Sequence, residues 1–104
     1  MRFHKSLDAF TSAQAWDAKS LGEVEGATVK VHWTDQPYRW HTNDGAEVFL
    51  VLAGAVEMRW RDASGEHATH LNAGDACFAE PGDEHVAHPQ GAARILVVER
   101  KGSV

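Results

Sequence analysis

The chain has 104 residues, 43% hydrophobic and 24% charged, which describes one globular domain with one core. A formal net charge of -5 argues against a general nucleic-acid-binding surface, and no apolar run approaches the roughly 20 residues a membrane-spanning helix needs. Cys77 is the single cysteine, so no internal disulfide forms. With no apolar signal-peptide core near the N-terminus, the expected location is the cytoplasm.

In chain order, Ser6 to Lys19 is the one stretch with helical spacing. Ser6 reads as an N-cap, and Leu7, Phe10, Ala13 and Asp17 fall near one face, with Trp16 beside it. A short N-terminal helical segment is therefore expected. From Gly26 the period changes to two. Val29, Val31 and Trp33 alternate with Lys30 and His32, and Val56, Met58 and Trp60 alternate with Glu57, Arg59 and Arg61. Such stretches are half-buried strands, with His32 on the polar side of its strand, exposed or hydrogen-bonded.

Turn signals at Asn43-Asp44-Gly45, Gly54, Asp62 to Gly65, Ala73 to Asp75, Pro81-Gly82 and Gly91 separate the strands. No crossover helices lie between them, so the pairing is antiparallel and the class is an all-β sandwich or barrel. Val48 to Ala53 and Ile95 to Val98 are apolar on both faces. Their outer faces need a cover, supplied by the N-terminal segment or by a second subunit, and a homodimer is expected. The expected organisation is an N-terminal segment over 1–25 packing on a barrel over 26–101, then a tail over 102–104.

Strand geometry sorts the seven histidines. Only residues an even number apart share a face. His67 and His70 therefore face opposite ways, as do His85 and His88, and His4 has no partner nearby in sequence. His41 and Asn43 share a face, Arg39 precedes them on it, and Glu47 follows across a short turn. Asn-Asp-Gly is also a strong hairpin turn, and a histidine before it needs no function.

Two spaced motifs change that reading. His41-Thr42-Asn43 is followed by three residues, Glu47, then six residues and Gly54. Further on, Gly74 is followed by five residues, Glu80-Pro81-Gly82, two residues and His85, with Pro89 beyond. Together they resemble the paired motifs of the small single-domain cupins, with Asn43 where the family has a second His. Glu80 stands at a usual Pro, and Pro89 at a usual Asn.

The resemblance implies a double-stranded β-helix, a small jelly-roll barrel, with the matched positions of both motifs facing one ion. Carried over, His41, Glu47 and His85 keep ligand identity, and Asn43 is the changed ligand. The implied cofactor is one divalent transition metal (iron, manganese, nickel or zinc), weakly held because an amide oxygen is a poorer donor than imidazole. Asn43 as a hydrogen-bonding group behind a metal-bound water is the alternative role. The implied function is binding or transforming a small oxygenated or carboxylated molecule, as a mononuclear-metal oxygenase, isomerase or lyase. A non-catalytic small-molecule binder and a metal-free barrel stand as alternatives. Arg39 is the expected anchor for a ligand carboxylate, with a rim ion pair as its competing role. The expected partners are a small-molecule ligand and a second copy of the chain, with neither nucleic acid nor membrane.

Overall fold

The computed structural model describes residues 1–103, so the last residue of the expected tail, Val104, lies outside the described residues. Among the described residues, nine strands build two antiparallel sheets. They are β1 (Asp17–Val24), β2 (Ala27–Thr34), β3 (His41–Thr42), β4 (Glu47–Ala53), β5 (Ala55–Asp62), β6 (Gly65–Asn72), β7 (Ala76–Ala79), β8 (Glu84–Pro89) and β9 (Ala93–Arg100). One sheet has the order β1-β2-β9-β4-β7 and the other β3-β8-β5-β6. The jelly-roll expectation is met. Among the described residues no helix is long and apolar enough to cross a membrane.

The N-terminal helix is not there. Leu7–Ala9 form a single 3-10 turn, and from Asp17 the chain is already a strand paired to β2. Two backbone angles explain the difference. Ser6 and Trp16 have φ of 56° and 65°, left-handed values that no right-handed helix contains. Pairing with the open edge of β2 satisfies the backbone of Asp17–Val24, and this tertiary gain outweighs a weak local helical pattern.

The same segment lies against the doubly apolar strands, whose outward residues Val48, Leu50, Leu96 and Val98 are half-buried. The 3-10 turn packs against β4 and β9, and Arg94 Nε donates to the Phe10 carbonyl at 2.8 Å. Inside the barrel, Phe49 and Val51 from β4, Val56 and Met58 from β5, and Ile95 and Val97 from β9 make one apolar cluster. Gly54 makes the β4–β5 connection possible. Its φ is +78°, and a Cβ there would collide with the Ala92 carbonyl oxygen.

Candidate functional site

The end of the barrel away from that cluster is polar. β4 opens on Glu47, whose side chain is 11% exposed, and Phe49 and Val51 follow on the same face. β8 contributes His85, 6% exposed, directly opposite His41 of β3. Asn43, 8% exposed, follows β3 and is tied to the β7–β8 turn from both sides. Its N–H donates to the Asp83 carbonyl at 2.9 Å, and its carbonyl accepts from the Gly82 N–H at 2.8 Å. The Pro81-Gly82 turn thus fixes the position of the changed ligand.

Three donors converge. His85 Nε2 lies 2.7 Å from Asn43 Oδ1 and 3.5 Å from Glu47 Oε1. The rings of His41 and His85 lie 4.4 Å apart, centre to centre. His41 Nδ1 is 3.0 Å from the Arg39 carbonyl. A carbonyl only accepts, so Nδ1 carries the proton and Nε2 keeps its lone pair. Two buried atoms, Asn43 Nδ2 and Glu47 Oε1, have no hydrogen-bond partner.

Electrostatics set the protonation states. The Glu47 carboxyl is pushed up to about 7, first by burial and then by the Glu99 carboxylate beside it, while the nearby Asn43 amide opposes the rise. Glu99 stands directly opposite Glu47 across the β4–β9 pairing. His85 is pushed down to about 4, by burial first and then by His41, so it is a neutral imidazole at pH 7. Burial lifts the Cys77 thiol to about 11, so Cys77 is no nucleophile.

The residues fit a divalent ion of mixed nitrogen and oxygen preference. Neighbouring ligands on an ion with bonds of about 2.1 Å lie about 3.0 Å apart, and the 2.7 and 3.5 Å separations bracket that spacing. His41 also shows the arrangement typical of metal-binding histidines, one ring nitrogen given to a backbone carbonyl and the other free. Among the described residues, no three His, Cys, Asp or Glu side chains are placed to share one ion, so the converging trio includes the Asn43 amide.

A cavity of about 230 Å³ opens beside these residues. Its walls include Trp16, Lys30, His32, Tyr38 and Glu99 as well as His41, Glu47 and His85. A second cavity of about 350 Å³, lined by Met58, Trp60, Cys77 and Phe78, meets His85 from its other side. Arg39 lines neither cavity; it is exposed, with its guanidinium 5.0 Å from the centre of the Tyr38 ring. Among the large apolar side chains, Phe49 lines the first cavity, Met58, Trp60 and Phe78 line the second, and Trp33 lines neither. His67 and His70 bond to Asp62 and Asn72 on the surface and line neither cavity, although Asp62 itself borders the second.

Sequence reasoning missed Lys30, Glu99 and Trp16. Glu99 had a signal, because the inward alternation of Ile95 and Val97 continues to it. Lys30 and His32 were placed on a polar face, which is the solvent face only when the other side is the core. Here the N-terminal segment and β1 accompany β2, and its polar face lines the cavity. Trp16 had no signal, since its place depends on a left-handed backbone angle.

The family model described as "Cupin domain" matches residues 27–99. No curated protein matches the chain. Among solved structures, a cupin-2 domain containing protein from Shewanella frigidimarina is 24% identical with a TM-score of 0.76, covering 86% of this chain and 85% of its own. A cupin superfamily protein from Desulfitobacterium hafniense is 13% identical with a TM-score of 0.69, covering 86% and 83%. Hydroxypropylphosphonic acid epoxidase from S. wedmorenis is 19% identical with a TM-score of 0.68, covering 79% of this chain but only 49% of the enzyme. At identities this low, the structural likeness establishes the fold alone.

Proposed function

The chain belongs to the cupin domain family, and on that premise we propose that it is a metal-binding cupin acting on or binding a small oxygenated or carboxylated molecule. The observation that carries this reading is the convergence of Asn43 Oδ1, Glu47 Oε1 and His85 Nε2 at one buried point, with Glu47 Oε1 left without a partner. These three residues would hold the ion, with the His41 ring packed beside them, 4.4 Å from that of His85.

Two amide or carboxylate oxygens among the donors favour harder ions, manganese and iron, over copper. Bound there, such an ion supplies Lewis acidity toward a ligand oxygen or, as iron, the activation of dioxygen. The chain's own residues prepare for it. His85 is a neutral imidazole whose Nε2–H donates to Asn43 Oδ1, so ligation requires its proton to move to Nδ1, and Glu47 must release its own proton to become a ligand. The fold relative hydroxypropylphosphonic acid epoxidase is described in Fe(II) and Co(II) forms, which is consistent with this choice of ion.

A second reading, a ligand-binding barrel without metal, is favoured by the direct 2.7 Å contact between His85 and Asn43, which closes the donors on each other. Elemental analysis of tag-free protein, purified without chelator and then reloaded with manganese or iron, separates the two. About one ion per chain, lost in His85→Ala, supports the metal reading. Wild-type protein that stays empty after loading supports the metal-free barrel.

A further inference from the structure

Lys30 and His32 stand two apart on β2, so both leave the same face, and both line the cavity shared with His41, Glu47 and His85. Lys30 is half-buried and, among the described residues, forms no ion pair. A lysine lining a cavity with its charge unpaired is a ready partner for an anion. His32 is already committed: its Nδ1 is 3.0 Å from the Trp16 carbonyl, so it donates there and turns a bare acceptor, Nε2, to other partners.

Trp16 forms the adjoining wall. Its φ of 65° is rare for a bulky residue. Three hydrogen bonds hold it there: its N–H to the Trp33 carbonyl at 2.9 Å, its indole Nε1–H to the Gln36 carbonyl at 2.9 Å, and its carbonyl to His32. The ring meets Tyr38 edge-on at 5.1 Å. Bulky residues persist at such angles only where their surroundings over-determine them, and these positions cluster at ligand clamps.

Charge and size narrow the ligand. Lys30, Glu47 and Glu99 are the charged Lys, Arg, Asp or Glu side chains lining the cavity. With a divalent ion in place, the two carboxylates neutralise it and the lysine charge remains. At about 230 Å³ the cavity lies below the range of roughly 300–1,000 Å³ typical of drug-sized ligands.

We propose that this cavity takes a small monocarboxylate with a planar or apolar body, its carboxylate paired with Lys30 and its body held against Trp16 and Tyr38. The charge count rests on the metal reading above; the lysine and the aromatic walls do not. Benzoate and its uncharged analogue benzamide are the probes, titrated calorimetrically into manganese-loaded wild type and Lys30→Met, with manganese content measured in each sample. Benzoate is expected to bind the wild type at least about tenfold more tightly than benzamide, and Lys30→Met to bring benzoate to the benzamide level while keeping its manganese. The same comparison in chelator-treated wild type, where no ion attracts the carboxylate, decides the matter even where the variant folds poorly: benzoate still ahead of benzamide supports Lys30, and equal affinity overturns it. Equal affinity for both probes, or equal benzoate affinity in the two proteins, overturns the Lys30 assignment and leaves the metal reading standing. A wild type that takes up no manganese overturns the metal reading and the charge count with it.

Discussion

The two ends of this barrel are made by the same strands and differ in kind. Along the inward face of β4, Glu47 gives way to Phe49 and Val51; along β8, His85 gives way to Ala87; along β9, Glu99 gives way to Val97, Ile95 and Ala93. At the apolar end, Val51, Val56 and Ile95 are fully buried and need no partners. At the polar end, burial leaves Asn43 Nδ2 and Glu47 Oε1 without hydrogen bonds, which costs about 1–3 kcal/mol for each such group. One end stabilises the fold, and the other spends part of that stability to hold donors together.

If the division is real, the two ends should fail separately. Ile95→Ala removes a fully buried side chain and should cost about 2–5 kcal/mol of stability, read by urea denaturation. Metal uptake per folded molecule should not change. Loss of metal together with stability would mean that the ends are not independent.

The polar end should show itself in the pH dependence of chelator-treated protein. The Glu47 carboxyl sits at about 7 in the folded chain against an ordinary 4.5, so between those values the folded state binds the extra proton. Stability is therefore full below about pH 4.5 and falls as pH rises toward 7, by no more than about 1.4 kcal/mol per pH unit. Glu47→Gln should flatten that fall, as read by denaturant midpoints from pH 5 to 8. An unchanged slope would place the titrating group elsewhere.

Asn43→His tests the changed ligand itself. It should raise zinc or nickel affinity about tenfold or more in competition with a chelating dye, since imidazole replaces an amide oxygen. No gain would put Asn43 outside the donor set. The smallest effect is expected at His67→Ala. His67 bonds Asp62 in the exposed β5–β6 hairpin and lies at neither end, so stability should move by no more than about 0.5 kcal/mol and metal uptake not at all.

The apolar end was the legible one. Period-two alternation placed Val56 and Met58 in the core, and Phe49, Val51, Ile95 and Val97 of the doubly apolar runs join them there. Motif spacing pointed to His41, Asn43, Glu47 and His85 as one neighbourhood, although Asn43 and His85 lie 42 residues apart along the chain. What escaped has a common cause. Lys30, Glu99 and Trp16 enter the cavity because of how β2, β9 and the N-terminal segment pack, and nothing local marks them. The helical pattern at Ser6 to Lys19 misled for the same reason: a free sheet edge on β2 decided the conformation of Asp17–Val24.

The central claim is that the polar end is a metal site completed by Glu47. Calorimetric titration of manganese into chelator-treated protein at pH 6.5, in two buffers of different ionisation enthalpy, tests it most directly. The account predicts one ion per chain, with proton release revealed by the buffer dependence and lost in Glu47→Gln, because Glu47 must give up its proton to bind. Saturable manganese binding with the same heat in both buffers, or none at all, would contradict it.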